Sequence, residues 1–195
     1  MRIGKWGTRG VPMMALWCVL TLSACDDPFG PRTWSVVPDT LEVWSVSRPE
    51  LQGLASALDL AGEPPIGLAI EAEGAIGAWD VALIDVGGGL ALVPASYFPG
   101  HASSRAGIAV VTGTSFAELR RAPTDSAQFS REPVPLTADG VYVVRTRVAV
   151  CSDGTGTGVH YAKLRPIEID VTAGRLRLET VNNPFCGDRA LIPSD

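Results

Sequence analysis

The sequence predicts an all-β fold, a single antiparallel sandwich or open barrel with one or two short helices. Three observations predict it. Arg175-Leu176-Arg177-Leu178-Glu179 alternates apolar and charged residues with period two, so one face is apolar and the other charged. Val141 to Val150 is a long run rich in valine, a β-branched residue that suits a pleated surface. Gly87-Gly88-Gly89 separates two apolar runs, Trp79 to Val86 and Leu90 to Val93, which reads as a hairpin on a glycine turn.

The other elements follow in chain order. Leu41 to Val46 alternates and stops before Pro49, so it reads as a strand. Ser47 to Leu60 places Leu51, Leu54, Ala55 and Leu58 at helical spacing, but Gly53 interrupts it; a short helix or an irregular strand is expected. Ile66 to Glu71 is a short apolar run, and Ile108 to Thr112 is β-branched and expected to be buried. Ser115-Phe116-Ala117-Glu118 has capping-box spacing, with Arg120 and Arg121 at the favourable C-terminal end and Pro123 as the stop, so a short helix is expected. His160 to Leu164 and Ile167 to Val171 make one strand interrupted at Pro166. The alternation slips there by one residue, which predicts a bulge or an edge position.

The N-terminus carries a different signal. Arg2, Lys5 and Arg9 precede an apolar run from Val11 to Leu22 that is too short to span a bilayer. Leu22-Ser23-Ala24-Cys25 follows directly. This arrangement resembles the signal peptide of a bacterial lipoprotein, which implies removal of residues 1–24 and lipid on Cys25. The expected organisation is a signal over 1–24, a lipidated tether over 25–33 and one β-rich domain over 34–195. Localisation follows as the bacterial cell envelope, anchored to a membrane through Cys25 outside the cytoplasm, with the leaflet left open. Asp26-Asp27-Pro28-Phe29-Gly30-Pro31 suits a short tether.

Processing would change the charge. The whole chain has net charge −5; the first 24 residues hold three basic residues and no acid, leaving 13 − 21 = −8. Such a balance disfavours nucleic acid and anionic lipid as partners. The remaining 195 − 24 = 171 residues suffice for one domain with a core. Of the thirteen remaining basic residues only Lys163 is a lysine, which reads as a compositional bias.

Cysteine counting yields a pair. Cys18 lies in the signal and Cys25 takes the lipid, which leaves Cys151 and Cys186. In an oxidising compartment they are expected to form a disulfide, worth about 3–4 kcal/mol in the chain-entropy model. Neither belongs to a Cys-x-x-Cys pair, so a metal site or catalytic thiol is not expected there.

Catalytic signatures are missing. There is no Gly-x-Ser-x-Gly elbow and no His-Glu-x-x-His. Ser152 to Gly158 is glycine-rich, yet it lacks the Gly-Lys-Ser/Thr ending of a phosphate loop and the acidic ligands of a calcium loop, so it reads as a flexible connection. Ser152, Asp153 and His160 make a triad only on paper. Glu71 with Glu73, and Asp80 with Asp85, are acidic pairs near strand ends, and the first pair is expected on a solvent face. No enzyme is expected. His101, in a polar loop, and His160, at a strand start, read as surface histidines or as paired haem ligands.

Several local patterns occur in order: Trp79-Asp80-Val81-Ala82, the turn at Gly87 to Gly89, Gly113-Thr114-Ser115-Phe116, Val141-Tyr142-Val143-Val144-Arg145-Thr146, and His160-Tyr161-Ala162-Lys163-Leu164. Together they resemble the HmuY-type haem-binding lipoproteins over roughly half of the mature chain. The resemblance implies an all-β, lipid-anchored protein that binds haem in a cleft through paired histidines. No motif places those histidines here, and Cys151, the glycine loop and Cys186 depart from the pattern. Two functions are therefore expected: a structural or protein-interaction lipoprotein without cofactor, or a small-ligand binder with haem as the named candidate and His101 and His160 as its ligands.

Overall fold

Alternation along the chain becomes two antiparallel sheets. The computed structural model describes residues 34–152, 154 and 156–193; residues 1–33, where the expected signal, Cys25 and the expected tether fall, and Asp153 lie outside them. Ten strands are described: β1 (Asp39–Trp44), β2 (Ala57–Asp59), β3 (Ile66–Leu68), β4 (Val81–Val86), β5 (Gly89–Pro94), β6 (Gly107–Val111), β7 (Val134–Pro135), β8 (Val141–Val150), β9 (Thr157–Asp170) and β10 (Arg175–Asn183). The first sheet runs β1-β10-β9-β8-β6 and the second β3-β2-β4-β5-β7. Every pairing is antiparallel. Each sheet ends in its own edge strands, so the fold is a sandwich and not a closed barrel.

Apolar residues of both sheets make the central core. Val43, Leu58, Leu83, Leu92, Val144 and Leu178 are fully or almost fully buried in it. Tyr142 joins them, and its hydroxyl accepts the Thr137 N–H at 2.9 Å and donates to the Pro135 carbonyl at 3.2 Å. A second cluster joins Ala109, Val143, Tyr161 and Val181 of the first sheet to Phe116, Leu119, Phe129 and Leu191 of its flanking segments. A third joins Ala82, Ala91 and Val93 of the second sheet to Trp79, Ala95 and Ala106. Long connections thus cover apolar faces that a bare two-sheet sandwich would leave wet.

The glycine hairpin forms as read. Gly87 and Gly88 take φ of 59° and 83°, the positive values a tight turn between right-twisted strands requires. The slip at Pro166 is a bulge. Arg177 faces Glu168 while Leu178 faces Pro166, leaving Ile167 without a cross-strand partner.

The expected helices do not form: among the described residues there is no α-helix, only three 3-10 turns at Pro49–Leu51, Ala95–Tyr97 and Ser126–Gln128. Gly53 sits at φ 87°, ending any helix from Ser47, and Ala57–Asp59 instead pairs with Val81–Ala82 and Ile66–Leu68. The capping box at Ser115 does form: Ser115 Oγ donates to Glu118 Oε2 at 2.7 Å, and the Glu118 N–H reaches Ser115 Oγ at 3.3 Å. It stops after one turn, because the chain then leaves to bridge Arg121 with Ala190.

Candidate functional site

A second bulge builds the most unusual part of the molecule. On β8, Arg145 faces Tyr161 and Val148 faces Val159, so Thr146 and Arg147 together oppose the single residue His160. Thr146 Oγ1 accepts the His160 N–H at 2.8 Å, replacing a ladder bond. The extra residue re-aims Arg147 at the second sheet. Its Nη1 lies 2.8 Å from Asp59 Oδ1 and 3.0 Å from Asp80 Oδ2.

Asp80 is fully buried just before β4. Its carboxylate also accepts the Leu60 N–H at 2.7 Å, the Ala61 N–H at 3.2 Å and the Arg147 N–H at 2.7 Å. Burial pushes its pKa above the usual carboxylate range, and Arg147 and the backbone donors of Arg147 and Leu60 oppose that shift. With both oxygens occupied by N–H donors, Asp80 serves as a clasp between the sheets rather than as a general acid or base. Asp85, at the other end of β4, meets Arg48: Nη2 to Oδ1 is 2.6 Å and Nε to Oδ2 is 3.1 Å. The acidic pair Asp80 and Asp85 is thus divided between two arginines.

A cavity of about 340 Å³ opens beside the Arg147 clasp. Trp79, Ile76, Val148, His101, Arg105 and Arg147 contribute to its lining. His101 lies against the Trp79 indole at 5.3 Å between ring centroids, and Phe98 meets the same indole edge-on at 5.3 Å. Ile76, at 87 % exposure, stands on the rim.

His160 is elsewhere, and it is buried rather than on the surface. Its Nδ1 lies 3.3 Å from the Asn183 carbonyl and its Nε2 3.3 Å from Cys186 Sγ. The structure therefore gives the two histidines separate neighbours, indole for one and disulfide for the other. The Cys151–Cys186 disulfide is present, with its Cα atoms 5.5 Å apart. Gly158 of the glycine-rich loop packs on it, and a Cβ there would lie 2.9 Å from Cys186 Cβ, so glycine is needed for that approach. Ser152 Oγ donates to the Pro184 carbonyl at 3.0 Å, and Asp153, the acid of the paper triad, lies outside the described residues. Glu71 and Glu73 are exposed, as expected, but in turns after β3 rather than on a strand. Among the described residues no three histidine, cysteine, aspartate or glutamate side chains gather as a metal set.

Lys163 was not singled out by its surroundings in the sequence. It is buried, and Nζ donates to the carbonyls of Phe116 at 2.8 Å and Leu119 at 3.2 Å. Burial lowers its pKa. A compact ammonium with three donors closes the end of the Ser115 turn under the Phe116 ring, 4.8 Å from its centroid.

No protein-family model, no curated protein and no solved structure matches the chain, so the resemblance to the HmuY-type lipoproteins rests on the quoted residues alone.

Proposed function

We propose that this chain is a lipid-anchored β-domain of the bacterial cell envelope that acts as a structural or protein-interaction module, without a catalytic site. The observation that carries the reading is Leu22-Ser23-Ala24-Cys25 set directly after a basic and then apolar N-terminus. The sandwich begins close behind it: Trp34 is 34 − 25 = 9 residues after Cys25 and already packs edge-on against Phe185 at 6.1 Å. A tether of that length reaches at most about 30 Å, which keeps the domain near the membrane that holds the lipid. The Cys151–Cys186 disulfide suits a compartment outside the cytoplasm. Exposed Ile76, Val148 and Val150 offer apolar contact to a partner.

The anchoring is tested by metabolic labelling with a fatty-acid analogue and membrane fractionation. The wild-type chain is expected to take the label, and Cys25→Ser to lose it and accumulate unprocessed. Equal labelling of the two would overturn the reading.

A second reading, haem or another small ligand, has one observation in its favour: His101 sits on Trp79 in an open cavity. The enclosure of His160 between Asn183 and Cys186 weighs against bis-histidine ligation. Added haem separates the two readings. The module reading predicts the spectrum of free haem, whereas a sharp Soret band lost in His101→Ala would favour the ligand reading.

A further inference from the structure

Three arginines converge on one end of the first sheet. Arg145 of β8 lies opposite Gly107 of β6 on one side and Tyr161 of β9 on the other. The bridge between Ile108 and Ser130 brings Arg131 alongside Gly107. Residues directly opposite in antiparallel ladders point to the same face, so Arg131 and Arg145 flank Gly107 in one row, and Phe129 packs over that glycine, its Cβ 3.0 Å from where a Gly107 Cβ would lie.

Side-chain contacts tighten the group. Arg145 Nε donates to the Arg105 carbonyl at 2.9 Å, and Arg131 Nη2 donates to the Ser104 carbonyl at 2.9 Å. Arg145 is half-buried over the Phe129 ring, 5.0 Å from its centroid. Arg105 also lines the cavity of Trp79 and His101, and so joins the row to that cavity.

The charge of this group is unbalanced. Arg48, Arg147, Arg165 and Arg175 each pair with at least one carboxylate. Among the described residues Arg105, Arg131 and Arg145 have no such ion pair, nor have Arg120, Arg121, Arg177 and Arg189; what sets the first three apart is that they crowd one another. Burial lowers the Arg145 pKa, Tyr161 beside it opposes that shift, and the charges of Arg105 and Arg131 add to it. In a mature chain of expected net charge −8, three cations crowded together raise the local positive potential. A bound anion would relieve it.

We propose that Arg105, Arg131 and Arg145 bind the phosphate of a phosphomonoester whose organic body lies in the adjoining Trp79–His101 cavity. The class follows from the charge count. A carboxylate brings one charge and two oxygens, too little for three guanidinium groups. A phosphomonoester brings about −1.5 to −2 at neutral pH and three acceptor oxygens. Guanidinium forks suit phosphate geometry, and the Trp79 indole offers an apolar face to whatever the phosphate carries. This inference is independent of the anchoring at Cys25.

Calorimetric titration of the full chain in neutral detergent tests it, with phenyl phosphate, glycerol 3-phosphate and benzoate as probes. Phenyl phosphate is expected to bind saturably and to weaken as salt is raised. Benzoate is expected to bind at least about tenfold more weakly, and glycerol 3-phosphate to lie between them. Arg105→Gln and Arg131→Gln change exposed side chains, so both variants are expected to keep the wild-type circular dichroism while weakening phenyl phosphate about tenfold each. Arg145→Gln is expected to act in the same direction. Affinity for phenyl phosphate unchanged in folded Arg105→Gln and Arg131→Gln, or equal to that of benzoate, would overturn the site. Glycerol 3-phosphate binding more tightly than phenyl phosphate would overturn the seating of the body in the cavity.

Discussion

The two ends of β4 carry the same chemistry in different surroundings. At one end Asp80 is fully buried and meets Arg147; at the other Asp85 is 30 % exposed and meets Arg48 at 23 %. Both arginines tie the second sheet to elements of the first. Arg147 does so through the β8 bulge, and Arg48 through the carbonyls of Val171 and Thr172, each at 2.6 Å, in the β9–β10 turn. The difference lies in what water can do. An exposed pair competes with solvent and contributes little, whereas a buried carboxylate must be fully partnered or it costs several kcal/mol. Asp80 is accordingly served by backbone N–H groups as well as by Arg147, while Asp85 adds only the short hydroxyl bond from Ser45 to the bonds from Arg48.

The largest effect is therefore expected at the buried end. Asp80→Ala leaves Arg147 without its buried partner and the Leu60 amide without its acceptor, and is expected to cost about 3–5 kcal/mol. Urea unfolding at unchanged m-value measures it, and a loss below about 1 kcal/mol would mean that burial does not set the rank of the two clasps. Next comes the disulfide beside the same bulge. Cys151→Ala with Cys186→Ala is expected to cost about 2–5 kcal/mol. It should also move the NMR signals of the His160 ring, whose Nε2 faces Cys186. A ring unaffected by the double substitution would contradict the packing of His160 on the sulfur.

The smallest effect is expected at Asp85. Arg48 first, and Ser45 after it, hold the Asp85 carboxyl below the usual carboxylate range. A depressed acid stabilises the fold above its unfolded pKa of about 3.9, and that contribution fades as pH falls through the lower folded value. Asp85→Asn should thus cost only a fraction of the Asp80 effect at neutral pH and flatten the acid limb of the stability curve. An acid limb identical in wild type and variant would show that the Arg48 pair is not what depresses the group.

Much of the sandwich was legible because its signals are local. Alternation from Arg175 to Glu179 reports one strand against its neighbours, and the glycines after Val86 report one turn. The slip at Pro166 reports one bulge. The segment from Ser47 to Leu60 misled because leucines at helical spacing can also belong to unrelated elements. Leu58 is fully buried in β2, whereas Leu54 is 41 % exposed beyond the positive φ of Gly53. Spacing alone does not tell one apolar face from two.

The candidate site was mostly illegible, for a related reason. Arg147 and Asp80 lie 67 residues apart, and a bulge with no sequence signature aims one at the other. His160 and Cys186 are 26 apart, so nothing local marks the histidine as buried. Lys163 is the instructive case. Its solitude among arginines reads as composition, yet it is the basic residue enclosed under Phe116, where a compact donor serves two carbonyls. Only the disulfide, derived by elimination of Cys18 and Cys25, was legible across a long separation.

The central claim is that this sandwich is held to a membrane through Cys25, and the mass of the mature N-terminal peptide tests it most directly. Membranes from cells expressing the full chain would be extracted, digested and measured by mass spectrometry. The account predicts a peptide that begins at Cys25, lacks residues 1–24 and carries the added mass of two or more acyl chains. A mature chain that begins elsewhere, or a Cys25 that carries a free thiol, would contradict it.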